Sequence, residues 1–88
     1  MPVISRFYGI TIKMYLRQAE HNPPHIHAVY GNTTGLFSIA DADMYEGDIP
    51  PKEQKLIEQF IHCYQKDLYL MWETQSFKTL AFEKGVQS

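Results

Sequence analysis

The stretch Ile10-Thr11-Ile12-Lys13-Met14-Tyr15-Leu16-Arg17 alternates without a break between apolar and polar side chains. Successive side chains of a β-strand point to opposite faces, so this alternation predicts a strand with one buried and one outward face. The outward face would carry Thr11, Lys13, Tyr15 and Arg17. The buried face needs other apolar elements to pack against, and these must come from the flanking sequence.

Neighbouring segments have the pattern of further short strands. Residues 3–8 are extended in character, and Gly9 marks a bend. Residues 25–30 and 36–39 predict two more strands, and residues 44–46 a fourth. Turn-forming residues fill most of the connections, and short connections join neighbouring strands antiparallel. We therefore expect a three- or four-stranded antiparallel meander.

A helix is predicted after the strands. Pro50-Pro51 marks its start, because proline is tolerated in the first helical turn and Glu53 suits the positive end of the helix dipole. Apolar residues then recur at helical spacing at Leu56, Ile57, Phe60, Ile61, Tyr64, Leu68, Met71 and Trp72. The pattern predicts one long amphipathic helix over residues 50–75, with Lys66-Asp67 as the place for a break. Residues 79–82 either add an edge strand or stay mobile.

A chain of 88 residues can bury one modest hydrophobic core. The prediction is therefore an α+β protein with one domain over residues 1–88, in which the helix packs on the apolar face of the sheet. The sheet would occupy residues 1–49, the helix 50–75 and a tail 76–88.

The composition favours a cytoplasmic protein. Its single cysteine, Cys63, cannot form an intramolecular disulfide, and the chain does not open with a signal-peptide pattern. Apolar runs stay well below the roughly 18 residues that a membrane span needs, so we expect no membrane partner.

The charge is unevenly distributed along the chain, although the formal net charge is only −2. Residues 1–30 hold three basic residues against one acidic residue, a net +2, together with three of the four histidines. Residues 31–53 hold one basic residue against five acidic ones, a net −4. A polyanion can bind the first part, while the charge of the whole chain argues against strong nonspecific binding of nucleic acid.

The densest chemical signal is Glu20-His21-Asn22-Pro23-Pro24-His25-Ile26-His27. His25 and His27 project from the same face of a strand, with Cα atoms roughly 6.6 Å apart, so both can reach one ion. His21 can supply a third ligand and Glu20 another ligand or a hydrogen bond to one. Three histidines with an open position would form a hydrolytic site for a divalent metal such as zinc.

The same residues can also work without a metal. His21, His25 and His27, assisted by Glu20, can act as general acid and base, because imidazole changes its charge near neutral pH. Basic and aromatic side chains would then hold a nucleic acid, with phosphate on Arg6, Lys13 and Arg17 and a base stacked on Tyr15 or Tyr8. Without a metal, one interpretation of residues 20–27 is the active site of a metal-independent ribonuclease. The other is a stiff turn whose histidines are purely structural.

Other polar groups have simpler interpretations. The acidic run Asp41, Asp43, Glu46 and Asp48 lacks the glycine and terminal glutamate of an EF-hand, so it predicts a solvated turn. His62 lies on the predicted helix and is interpreted as a structural or surface residue, and Cys63, on the same helix, as a small buried apolar residue.

Two motifs resemble a known bacterial family. Residues 1–10, Met-Pro-Val-Ile-Ser-Arg-Phe-Tyr-Gly-Ile, and residues 21–27, His-Asn-Pro-Pro-His-Ile-His, are similar to the family of unknown function DUF4160. The similarity continues through residues 46–50 to the helix with Leu68 and Trp72. The shared motifs cover Arg6, Tyr8, His21, Asn22, Pro23, Pro24, His25 and His27. This chain has Glu20 where the family generally has Asp, and Ile26 where Phe is common.

The resemblance implies a small bacterial cytoplasmic protein, since some family members are described as toxins of type II toxin–antitoxin pairs. The first hypothesis is therefore a toxin component directed at RNA through its histidines, with a small antitoxin-like protein as partner. The alternative is a noncatalytic module that binds a protein or a metal with residues 21–27. A divalent metal and no cofactor are equally compatible with the sequence, and the oligomeric state is not predicted.

Overall fold

A computed structural model describes residues 3–15 and 23–82 and shows an α+β fold. The described residues form one five-stranded antiparallel sheet and two helices. The strands follow one another in sequence order across the sheet. Their bounds are β1 Val3–Phe7, β2 Ile10–Lys13, β3 His25–Tyr30, β4 Thr33–Ser38 and β5 Met44–Gly47, followed by α1 Pro51–Cys63 and α2 Gln65–Thr74.

The hydrophobic core lies between one face of the sheet and the helices. Ile12, Ile26 and Phe37 are fully buried on the sheet, and Ile57 and Phe60 are fully buried on α1. Because neighbouring strand residues alternate in direction, the residues between them point to the opposite, outer face. The predicted buried face of residues 10–17 is thus confirmed as far as Met14, but β2 ends at Lys13, earlier than expected.

The expectation of three or four strands was wrong, because residues 3–7 form a paired edge strand. Phe7 pairs with Ile10 across a two-residue turn in which Tyr8 and Gly9 both have positive φ, of 50° and 80°. Two positive φ angles give a turn whose twist matches that of a hairpin. The predicted bend at Gly9 is therefore a tight reversal that adds a strand.

The strand predicted at residues 36–39 begins three residues earlier, at Thr33, and includes Gly35. This position of the strand is occupied by glycine because a larger side chain would not fit there. A Cβ would lie 2.8 Å from Met44 Sδ and 3.0 Å from Ile49 Cγ1. The glycine marks a close approach of the Met44 and Ile49 side chains to β4.

The prediction of a single long helix was also wrong, and the break does not lie at Lys66-Asp67, where it was expected. Tyr64 separates α1 from α2 with φ −118° and ψ 24°. Its N–H group is shared between Phe60 O and Ile61 O, and its hydroxyl donates to Ala81 O. The break is thus accompanied by a contact with residues beyond α2.

The segment after α2 packs on the sheet without forming a strand. Leu80 N–H donates to Ile4 O at 2.7 Å, and Phe82 is buried with its ring 4.9 Å from that of Phe7. This contact covers part of the β1 edge. Within the described residues, neither helix has the length and apolar character to cross a membrane.

Candidate functional site

The outer face of the sheet carries a row of side chains that spans four strands. Lys13 pairs with His27, His27 with Leu36, and Leu36 with Glu46. Directly paired residues in an antiparallel sheet have neighbouring Cβ atoms on the same face. A cation and a carboxylate therefore lie on either side of a histidine and a leucine, on the face opposite the helices.

Aromatic rings continue this surface toward one end of the sheet. The His27 ring lies 4.2 Å from the Tyr15 ring and 5.2 Å from the His25 ring, measured between centroids. His25 in turn lies 5.1 Å from Trp72, which reaches the sheet from α2. We call Tyr15, His27, His25 and Trp72 the aromatic row. Each histidine has aromatic neighbours on both sides, so its ring position is restricted.

His25 is oriented by the proline segment that precedes it. Its Nδ1 lies 2.8 Å from Pro23 O, and because a carbonyl can only accept, Nδ1 carries the proton of this hydrogen bond. Pro24 O accepts a bond from Ile39 N–H at 3.1 Å, which ties the segment to the end of β4. A fixed Nδ1–H leaves Nε2 as the atom that can exchange a proton or bind a metal.

The electrostatic surroundings of His27 favour its neutral form. Partial burial lowers the pKa of the imidazole below its usual value of 6.5, and the neighbouring His25 and then Lys13 lower it further. A neutral imidazole retains a lone pair that can accept a proton. At neutral pH, His27 is thus suited to act as a base.

An open groove of about 320 Å³ runs along this face. Lys13, Tyr15 and His27 line one side of it, and Glu46 lines the other, with Leu36 between them. Glu46 was not predicted as a site residue, because the acidic run to which it belongs resembles a solvated turn. The signal lay in the pairing of residues 44–46 with β4, which places Glu46 opposite Leu36.

The structure brings together four of the predicted site residues, Lys13, Tyr15, His25 and His27. Arg6 is exposed and pairs with Thr11, which places it on the same face one strand further out, but it does not line the groove. Tyr8 lies in the turn after β1, away from these histidines. The predictions for Arg17, Glu20 and His21 fall outside the described residues.

The same limit applies to the predicted metal site. In residues 3–15 and 23–82, no three His, Cys, Asp or Glu side chains are grouped in a way that could hold a metal ion. His25 and His27 are two of the three predicted ligands, and the third is His21. Trp72 was not predicted beside them, because it belongs to a helical stripe that indicates core, and its proximity to His25 depends on the tertiary fold.

Comparison with protein families gives one result that covers these residues. The model of the domain of unknown function DUF4160 matches residues 9–73. The chain belongs to the DUF4160 family. The matched part of this DUF4160 protein contains β2 to β5, α1, α2 up to its last residue but one, and the whole aromatic row. Searches of curated proteins and of solved structures with the same DUF4160 chain found no significant match.

Proposed function

We propose that the outer face binds and cleaves RNA, and that the protein acts in the cytoplasm as the toxin component of a pair whose partner is a small antitoxin-like protein. One observation carries the proposal: the rings of His25 and His27 lie 5.2 Å apart, Lys13 pairs with His27, and partial burial lowers the pKa of His27. This arrangement offers a proton acceptor, a proton donor and a cation on one open surface.

The roles follow from the surroundings of each group. His27, as the neutral imidazole, removes the proton of a ribose 2′-hydroxyl, whose oxygen attacks the adjacent phosphorus. His25, whose Nδ1–H is bound to Pro23 O, donates a proton from Nε2 to the 5′-oxygen as the bond from phosphorus to that oxygen breaks. The products are a 2′,3′-cyclic phosphate and a free 5′-hydroxyl, and one proton is taken up for each proton released.

Lys13 and Tyr15 would hold the substrate in this reaction. Lys13 pairs directly with His27 across the sheet, so its ammonium group can stabilise the charge that develops on the phosphate. The exposed part of Tyr15 offers an aromatic surface on which a base can stack. His21 and Glu20 stay predicted members of the same site, and Arg6 and Arg17 stay predicted phosphate contacts.

Induced expression in bacteria without the partner tests the toxin proposal. We expect wild-type protein to arrest growth, and His25→Ala and His27→Ala to remove the arrest. His62→Ala is the matched control, because His62 is an exposed histidine on α1 remote from the groove, and it should arrest growth as wild type does. Normal growth with wild-type protein present at high level would refute the toxin role.

Cleavage itself is tested with purified protein and a labelled oligoribonucleotide. We expect cleavage in the presence of EDTA and none when the attacking 2′-hydroxyl is replaced by hydrogen. The conservative variant His27→Gln should fold, as judged by circular dichroism, and lose activity by about a hundredfold or more, the range typical of a general base. A folded His27→Gln protein with full activity would contradict the assigned role.

The second candidate function is a metal-binding module, and the hydrogen bond from His25 Nδ1 to Pro23 O favours it specifically. Histidine ligands commonly donate one ring N–H to a carbonyl while the other nitrogen binds the metal. Elemental analysis of untagged protein should then find stoichiometric zinc, nickel or iron that is lost in His25→Ala. Cleavage that persists in EDTA would exclude a metal from the reaction.

A further inference from the structure

A second cavity, of about 520 Å³, lies at the opposite end of β3 from His25. The turn after β1 supplies Tyr8, the last residue of β3 supplies Tyr30, and the first two turns of α1 supply Glu53, Lys55 and Leu56. Its volume is within the range of small-molecule sites, which hold a few polar groups in an otherwise apolar lining. The outer-face proposal uses none of these side chains, apart from the alternative stacking role of Tyr8 in the sequence analysis.

A buried carboxylate lies in the wall of this cavity. Glu53 is only 9% exposed and accepts a hydrogen bond from the Tyr30 hydroxyl. The negative charge of Glu53 and this hydrogen bond raise the pKa of Tyr30, so the phenol keeps its proton and remains a donor. An ionised carboxylate has about four lone-pair positions, and one phenol occupies one of them. Glu53 thus retains capacity for two further donors from a ligand.

Tyr8 lies at the mouth of the cavity in an unusual backbone conformation. It has φ 50° and is 53% exposed, although bulky residues seldom adopt positive φ and glycine or asparagine would do so with less strain. Such strain is concentrated at sites where a side chain has a role beyond folding. Gly9, beside it, has the Tyr30 ring within 3.5 Å of the position of a Cβ. Tyr8 and Tyr30 both line the cavity, and we call them its aromatic wall.

Two cations complete the site on the helix side. Lys52 and Lys55 are exposed on the first turns of α1, on either side of Glu53 in sequence. Leu56 contributes an apolar surface that is almost fully buried. The cavity therefore combines an aromatic wall, an acceptor below the surface and two ammonium groups near the rim.

We propose that this cavity binds a guanine mononucleotide, with the base between Tyr8 and Leu56, its N–H edge on Glu53 and its phosphate on Lys52 and Lys55. Guanine presents two adjacent donors, the ring N1–H and the exocyclic amino group, which match one carboxylate. Adenine and cytosine present a donor beside an acceptor, and uracil presents one donor between two acceptors. Glu53 therefore selects guanine. The site is separate from the outer face and does not depend on cleavage there.

Calorimetric titration of the whole protein with 5′-GMP, 5′-AMP and guanosine tests the proposal. We expect GMP to bind most tightly, and AMP and guanosine to bind about tenfold more weakly, because each lacks one of the charge-assisted contacts. Inorganic phosphate alone should not bind measurably. Equal affinities for GMP and AMP, or no binding of GMP at millimolar concentration, would overturn the proposal.

Matched variants assign the contacts. Glu53→Gln keeps an oxygen for the Tyr30 hydroxyl but sets an amide N–H against the donors of guanine, so the preference for GMP over AMP should disappear. Glu58→Gln, a neighbouring change on the same helix, should leave it intact. Lys55→Ala should weaken GMP but not guanosine, and Lys66→Ala on α2 should change neither. A GMP preference that survives Glu53→Gln would refute base recognition by this carboxylate.

Tyr8→Gly separates binding from folding. Glycine relieves the strain at positive φ, so we expect the melting temperature to stay the same or rise while GMP binding weakens about tenfold. Unchanged GMP affinity in the folded variant would show that Tyr8 is not part of the site. None of these titrations measures growth arrest or RNA cleavage, so a failure here leaves the outer-face proposal unaffected.

Discussion

The imidazole of His27 lies 5.2 Å from that of His25, measured between centroids, and Lys13 on the neighbouring strand pairs with His27. Two histidines and a lysine at this separation repel one another when all are charged. The arrangement therefore favours states in which at least one imidazole is neutral, and burial identifies His27 as that one.

The first prediction concerns the pH dependence of stability. The pKa of His27 is lowered in the folded protein from the value of 6.5 that applies when the chain is unfolded. Between these two values the unfolded chain binds the additional proton, so stability rises with pH there. His27 contributes its full stabilisation above pH 6.5 and loses it progressively below, as the folded-state pKa is approached.

Urea unfolding at about pH 7.5 and about pH 5.5 measures this effect. The decrease in unfolding free energy from the higher to the lower pH should be smaller in His27→Gln than in wild type, because glutamine cannot take up the proton. By NMR, Lys13→Met should raise the pKa of His27, and Lys55→Met, a remote lysine, should leave it unchanged. Identical pH dependence in wild type and His27→Gln would contradict the prediction.

The second prediction compares two glycines. Gly47 has φ 129°, and a Cβ on it would overlap the backbone of Thr34 and Gly35, so Gly47→Ala should destabilise the protein by about 3 kcal/mol or more. Gly31 has φ 60° with no atom within 4 Å of the position of its Cβ, so Gly31→Asn should cost less than about 1 kcal/mol. Chemical denaturation of both variants gives the comparison. Similar losses would refute the assigned close approach.

The third prediction concerns a buried hydroxyl. Ser5 is 1% exposed, and its Oγ makes no hydrogen bond within the part of the chain that the structure describes. Ser5→Ala should leave the free energy of unfolding unchanged or increase it by up to about 1 kcal/mol, because no bond is lost and a desolvated group is removed.

Thr33→Val is the control for this change. It removes a hydroxyl that donates to Tyr30 O at 2.6 Å, so it should destabilise the protein by about 1 kcal/mol. Thermal unfolding of the two variants side by side separates the outcomes. A loss in Ser5→Ala as large as that in Thr33→Val would mean that Ser5 has a bonding partner.

The fourth prediction tests the packing of the segment after α2. Phe82 is 5% exposed, and its ring lies 4.9 Å from Phe7 and 5.6 Å from Phe60. Phe82→Ala should therefore destabilise the protein by about 3 kcal/mol or more, the usual range for a buried aromatic. Leu70→Ala, an exposed change on α2, should cost less than about 0.5 kcal/mol. A Phe82→Ala variant as stable as Leu70→Ala would contradict this packing.

The alternation of apolar and polar residues was sufficient to predict the faces of a strand, but not the hairpin that precedes it. The alternation that begins at Ile10 placed Lys13 and Tyr15 on one outward face, and in the structure this face also carries His25 and His27. The missing strand depended on a tight turn formed by Tyr8 and Gly9. Tyrosine is not a residue whose presence signals positive φ, so the sequence contained a bend but no clear hairpin.

The remaining errors have tertiary causes. Tyr64 ends a helix without proline or glycine, and the contact of its hydroxyl with Ala81 lies far along the chain. The position of Trp72 beside His25, and of Glu46 across the groove, likewise depends on how helix and strands meet. Periodicity assigns a residue to a face, but it carries no information on which distant residue shares that face.

The hydrogen bond between Leu80 and Ile4 bears on the order of folding. Each strand pairs only with its neighbours in sequence, so every ladder can form by closing a short loop, which favours fast folding. The contact of Leu80 with Ile4 joins nearly the two extremes of the described chain and must come after the hairpins. Until residue 80 has been synthesised, the outer edge of β1 lacks this cover, so the nascent chain has its greatest tendency to aggregate just before its final contacts form.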